Sequence, residues 1–111
     1  MTATFSTHVL DTARGIPAAG VGVSLYRIDG ARRTLVGSAT TNAEGRTGVD
    51  FANVEAGTFA IVFDVEEYFD RDAVAAFYDE ITVRFRVADD GKHYHVPLLL
   101  SPWGYSTYRG S

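Results

Sequence analysis

Three histidines and one arginine carry most of the chemistry this chain offers. His93 and His95 sit two apart in His93-Tyr94-His95-Val96-Pro97, and His8 lies near the other end. Imidazole is the side chain best suited to proton transfer near neutral pH, a base when neutral and an acid once protonated. Arg46, directly after the turn Asn42-Ala43-Glu44-Gly45, could stabilise negative charge developing on a reacting carbonyl. The closing residues Tyr108-Arg109-Gly110-Ser111 add a ring, a guanidinium and a hydroxyl just after an apolar run, so they read as a docked segment rather than a frayed one.

Other chemistry is open to the same residues. A His-x-His pair also marks zinc sites, and three imidazoles could leave an open coordination position, but no carboxylate stands in an obvious supporting place. Ser106 and Ser111 suggest a serine-histidine pair, yet the Gly-x-Ser-x-Gly elbow is missing. The chain has no cysteine, which removes disulfides, thiolate nucleophiles and Cys-based zinc sites. Plain structural roles compete as well: His8 as a surface or satisfied core histidine, Arg46 as a solvated charge, Tyr68, Phe69 and the aromatics near Phe77 as core, Arg84 and Arg86 as solvent-facing.

The elements that must position these groups are strands. Val21, Val23 and Leu25 alternate with polar or small residues until Asp29-Gly30, a favoured hairpin turn. A run around Thr34 to Thr41 ends at the turn before Arg46. Phe59, Ile61, Phe63 and Val65 repeat the alternation, as do Ile81, Val83, Phe85 and Val87. In a strand starting at His93, that residue shares a face with His95, Pro97 and Leu99, the two histidines being roughly 7 Å apart. In the opening strand His8 shares a face with Ser6 and Leu10. Val74, Phe77, Tyr78 and Ile81 fall at helical spacing, which predicts one short helix between Asp72 and Ile81 with Asp70 or Asp72 as its cap. About seven or eight strands with one helix make an all-β, two-sheet sandwich.

A chain of 111 residues without repeats or linkers is expected to be a single domain, 1–111. Its 46% hydrophobic and 22% charged residues suit a globular fold, and a net charge of -4 gives no footprint for nucleic acid. The opening residues lack the basic and apolar regions of a secretory signal, and the longest apolar runs are too short to span a bilayer, so the expected location is cytoplasmic, with no membrane partner.

His8-Val9-Leu10-Asp11, Gly45-Arg46, His93 through Pro102 and Tyr108-Arg109-Gly110-Ser111 together resemble the 5-hydroxyisourate hydrolases, the transthyretin-related enzymes of purine catabolism. The resemblance covers essentially the whole chain. It departs at Trp103, where the family varies, and at Phe77-Tyr78-Asp79-Glu80, which lacks a proline found in many members. It implies a transthyretin-like sandwich assembled as a homotetramer, a dimer of dimers, with sites between dimers. The implied activity is that of a cyclic amide hydrolase: opening of 5-hydroxyisourate at N1-C6 to 2-oxo-4-hydroxy-4-carboxy-5-ureidoimidazoline, with no metal or organic cofactor. His8, Arg46, His95 and Ser111 match the catalytic positions. His8, Arg46, Tyr108 and Arg109 match substrate-binding ones, and His93 matches a motif position with no catalytic role assigned. Among the matched histidines, His95, oriented by Ser111, is the first candidate for the base, with His8 sharing water or substrate; the sequence leaves open which of the two takes the proton. The alternative is a non-catalytic transthyretin-like carrier of small aromatic ligands, which would have no need of proton-transfer groups.

Overall fold

From Ala3 to Asp11 buried and part-exposed residues strictly alternate, as the two-residue period of a strand requires. The computed structural model describes residues 1–47 and 51–110. These form β1 (Ala3–Ser6), β2 (Val9–Asp11), β3 (Ile16–Pro17), β4 (Gly22–Asp29), β5 (Arg32–Thr40), β6 (Asn53–Val54), β7 (Gly57–Asp64), α1 (Glu66–Arg71), β8 (Glu80–Val87), β9 (His93–His95), β10 (Leu98–Ser101) and β11 (Gly104–Thr107). β3 and β6 are two-residue fragments, and β1 with β2, like β9 with β10, are halves of one longer strand. That leaves seven full strands among the described residues.

One sheet has the order β5-β4-β7-β8 and is antiparallel throughout. The other consists of two ladders, β6-β1-β9 and β11-β10-β2-β3, joined end to end. β1 runs parallel to β9 with Ser6 opposite His95, and β2 runs parallel to β10 with Val9 opposite Leu98. The offset is the same in both halves. Across the joint the Val96 N–H donates to the Ser6 carbonyl and the Leu98 N–H to the His8 carbonyl, each at 3.0 Å, on either side of Pro97, which has no N–H to give.

The core lies between the sheets. Phe5 lies tilted against Phe59 and Tyr94 and edge-on to Phe85, at centroid distances of 5.8, 6.0 and 5.6 Å. Val23 and Leu25 from β4, Ile61 and Phe63 from β7, and Leu98 and Leu100 from β10 complete it. As the alternation predicts, Arg84 and Arg86 are exposed.

The helix lies earlier than its expected place. Residues Asp72 to Asp79 are not helical, and α1 covers Glu66–Arg71 instead. The same helical spacing occurs in Val65, Tyr68 and Phe69, and it is this set that the core buries. The Asp79 carbonyl accepts the N–H groups of Val65 and Glu66, capping the start, and Ala73 with φ of 53° ends the run. Val74, Ala76 and Tyr78 are half-buried while Ala75, Phe77 and Asp79 are exposed, an extended pattern held where the Phe77 N–H meets the Pro102 carbonyl at 2.8 Å. Phe77 is therefore surface rather than core, being 68% exposed.

α1 is tied to the second sheet through a buried polar pair. The Tyr68 hydroxyl donates to Asp11 Oδ2 at 2.8 Å, and Asp11 Oδ1 accepts the N–H groups of Ala13 and Arg14 at 3.1 Å each. Burial first, and then this bond to Asp11, push the Tyr68 phenol up to about 12. Tyr68→Phe leaves the Asp11 carboxylate short of one donor and is expected to cost about 1 to 2 kcal/mol, read as a lower urea midpoint with the far-ultraviolet spectrum unchanged. An unaltered midpoint would show that the bond does not hold the helix.

Candidate active site

The parallel register of β1 and β9 sets Thr4 opposite His93 and Ser6 opposite His95. Their neighbours Phe5, Thr7, Tyr94 and Val96 are buried in the core, so both histidines stand on the outer face of the sheet, as their spacing predicts. His8 continues that face one step beyond Ser6. It forms an antiparallel bridge with Arg46, and residues directly opposite each other across such a bridge project to the same side.

Arg46 is placed by a tight turn. The Asn42 side-chain oxygen accepts the N–H groups of Glu44 and Arg46 at 2.9 and 3.0 Å, and the Val9 N–H donates to the Gly45 carbonyl at 2.8 Å. Gly45 has φ of 76°, and a Cβ on it would run into the Val9 carbonyl, so glycine is what lets this turn lie against β2.

The C-terminal segment extends the sheet on the other side of the histidine strand. β11 pairs antiparallel with β10, Leu98 opposite Thr107, and the same register reaches His95 opposite Gly110, where the Gly110 N–H donates to the His95 carbonyl at 2.8 Å. A Cβ on Gly110 would stand 2.5 Å from His95 Cδ2, so only glycine fits along this edge of the ring. Tyr108 falls opposite Pro97 in this register. The Arg109 guanidinium lies 4.4 Å over the Tyr94 ring, and Tyr108 and Arg109 both line a cavity of about 240 Å³ with Val83, Phe85 and Val96. The structure thus brings His8, Arg46 and His95 to one face and sets Tyr108 and Arg109 beside the cavity under Tyr94. Ser111 lies outside the described residues. Ser106 is opposite Leu99, away from the histidines.

Two hydroxyls that sequence reasoning gave no role join the histidines. Thr4 Oγ1 lies 2.6 Å from His93 Nδ1, and Ser6 Oγ lies 2.7 Å from His93 Nε2 and 2.8 Å from His95 Nδ1. Alternation already puts Ser6 on the face of His8; its contact with His93 and His95 depends on a pairing between strands far apart in the chain. Both nitrogens of His93 are engaged in these contacts, and among the described residues no three or more His, Cys, Asp or Glu side chains converge as a metal site would require.

Electrostatics favour a neutral His95. Burial holds its pKa below the ordinary value of 6.5, and the positive Arg46 together with the neighbouring His93 and His8 push the same way, against the Ser6 carbonyl, which favours the protonated ring. With Nδ1 turned to Ser6, Nε2 is the nitrogen left for a reacting molecule. The face therefore combines a neutral imidazole, a second imidazole and a guanidinium.

A two-sheet sandwich whose N-terminal and histidine-bearing strands pair in parallel, with arginine and histidines on the outer face, defines a transthyretin-related protein. The chain belongs to the HIUase/Transthyretin family, whose model matches residues 5–110. A relative from Deinococcus radiodurans named 5-hydroxyisourate hydrolase is 51% identical over 112 residues, covering 96% of this chain and 94% of its own. Among solved structures, a 5-hydroxyisourate hydrolase from Klebsiella pneumoniae superposes with a TM-score of 0.84 at 37% identity, over 97% of this chain and 99% of that one. Sea bream transthyretin in complex with thyroxine superposes with a TM-score of 0.88 at 25% identity, over 96% of this chain and 93% of that one. The all-β, transthyretin-like sandwich expected from the sequence is borne out.

Because the folded-state pKa of His95 lies below its unfolded one, the stability tied to it is present above about pH 6.5 and is lost as the pH falls through the folded value. In an NMR titration the His95 ring is expected to protonate below 6.5, and His95→Gln should flatten the acid side of the stability profile. A His95 titrating at or above 6.5 would contradict the electrostatic account.

Proposed function

We propose that this protein hydrolyses 5-hydroxyisourate at the N1-C6 amide bond, giving 2-oxo-4-hydroxy-4-carboxy-5-ureidoimidazoline. The observation that carries this reading is the convergence of His8, Arg46 and His95 on one outer face, in a chain about half identical to a named 5-hydroxyisourate hydrolase. In the proposed mechanism Nε2 of neutral His95 takes a proton from water as its oxygen bonds to the ring carbonyl carbon. Negative charge on the carbonyl oxygen is met by Arg46. The C–N bond then breaks, and the imidazolium returns its proton to the leaving nitrogen. His8 holds substrate and water, Tyr108 shapes the pocket, and Ser111 completes the catalytic set. Arg109, carried over as a substrate-binding residue, would act by anchoring the closing segment on Tyr94. No metal or organic cofactor enters these steps.

The site is read as shared between subunits of a homotetramer, a dimer of dimers. Two observations support assembly. β8 and β11 are the edge strands of their sheets, brought to the same side by the cavity that Val83 and Phe85 share with Thr107, and leave backbone groups unpaired among the described residues. Beside them lies an aromatic patch: Phe77 and Trp103, 68% and 69% exposed, with Tyr78 and Tyr105 in edge contact at 5.1 Å. A second copy would cover both, and the open histidine face gains walls only from a partner surface. The cytoplasm is the proposed location; among the described residues no helix is long and apolar enough to cross a membrane.

Freshly generated 5-hydroxyisourate, followed by ultraviolet absorbance in metal-free buffer, should decay faster with the protein than without it; equal rates would sink the assignment. His8→Ala, Arg46→Ala and His95→Ala should each lower turnover at least about a hundredfold without dissociating the oligomer. Light scattering should give a tetramer, and a fully active monomer would remove the shared-site reading. Deleting residues 108 to 111 should abolish turnover while the melting temperature shows a folded protein; an active truncated protein would take that segment out of the site.

A further inference from the structure

Ser6 has one hydroxyl hydrogen and two imidazole nitrogens within hydrogen-bond distance, His93 Nε2 at 2.7 Å and His95 Nδ1 at 2.8 Å. It can donate to only one of them and must accept an N–H from the other. The tautomers of the two histidines are therefore locked together. Thr4 Oγ1, 2.6 Å from His93 Nδ1, extends the chain to four groups.

Only two polarities satisfy every contact while both rings are neutral. In one, His95 donates its Nδ1–H to Ser6 Oγ, Ser6 donates to His93 Nε2, and His93 donates its Nδ1–H to Thr4 Oγ1. In the other all three bonds reverse, and His95 carries its proton on Nε2. We propose that Ser6, backed by His93 and Thr4, is a positioning residue that holds resting His95 in the first form, with the proton on Nδ1 and the lone pair on Nε2.

One observation favours that direction, and the far end of the chain permits it. Arg46 shares the outer face with His95, and a positive group favours a lone pair over an N–H on the ring edge that Ser6 does not occupy. At the far end Thr4 and His93 meet solvent, where the spare hydroxyl hydrogen of Thr4 finds water as its acceptor. The consequence for the reaction is direct. A proton arriving on Nε2 leaves all three bonds of the chain as they were, whereas the reversed polarity would have to flip every one before His95 could accept anything. The rate consequence rests on the hydrolase reading; the tautomer does not.

The test reads nitrogen shifts and couplings of His95 by NMR on the full chain without substrate, at a pH where the ring is neutral. The Nδ1–H form is expected in the wild-type protein, a shift toward Nε2–H in Ser6→Ala, and a return in Ser6→Thr, which restores the hydroxyl. His93→Leu, which removes the acceptor for the Ser6 hydrogen, should move the tautomer in the same direction as Ser6→Ala, and His93→Gln should partly preserve it. In the hydrolysis assay Ser6→Ala should lower kcat about ten- to a hundredfold with KM changed less than about twofold, and Ser6→Thr should recover most of the loss. Wild-type His95 found with its proton on Nε2, or a tautomer unmoved in Ser6→Ala, overturns the proposal. Because the tautomer is read without substrate, a wild-type protein that fails to accelerate 5-hydroxyisourate decay bears on the functional assignment and not on the chain of bonds.

Discussion

Everything else in this molecule depends on one long-range pairing, that of the N-terminal strand with the strand bearing His93 and His95. The pair is parallel, and parallel strands cannot be joined by a tight turn. Here the whole of the first sheet and the helix lie in the connection. Closing so large a loop costs chain entropy, though the cost grows only slowly with length, and the burial of Phe5, Val9, Leu98 and Leu100 along the seam offsets it. The same seam brings the histidines of the two strands onto one surface. Stability and site geometry thus come from a single register.

That register is protected by its own consequences. A slip of one residue would turn either Ser6 and His8 or His93 and His95 into the core and expose Phe5 or Tyr94 and Leu98 in exchange, so the apolar face fixes the polar one. Of the two inward polar residues of the N-terminal strand, Thr7 is satisfied by donating its hydroxyl to the Val96 carbonyl across the same seam, and Asp11 by the donors that tie down the helix. Glycines at 45 and 110 then allow two further backbones to close on the ladder from either side, bringing Arg46 to His8 and the C-terminal segment to His95.

Sharing a fold with thyroxine-bound transthyretin from sea bream says little about chemistry, since a sandwich is a scaffold for many surfaces. What distinguishes this surface is its treatment of charge. Asp11, buried on the opposite side of β2, is met by three donors and serves structure. His95 is half-buried beside Arg46, an environment that keeps the imidazole neutral and leaves its free nitrogen able to act as a base. A hydroxyl shared between His93 and His95 adds direction to that basicity.

Much of this was already legible in the residue order. The strand faces of His8 with Ser6 and of His93 with His95, the hairpin after Asp29, the turn that delivers Arg46 and the solvent-facing Arg84 and Arg86 all follow from two-residue alternation and turn chemistry, which are properties of the local chain. The position of the helix was not legible, because helical spacing occurs twice in succession and only packing against Asp11 and the core chose Val65, Tyr68 and Phe69 over Val74, Phe77 and Tyr78. Nor was the partnership of Thr4 and Ser6 with the two histidines. Which strand lies beside which is a choice among non-local pairings, decided by how all the apolar faces close together at once, and no local pattern in a single strand encodes it.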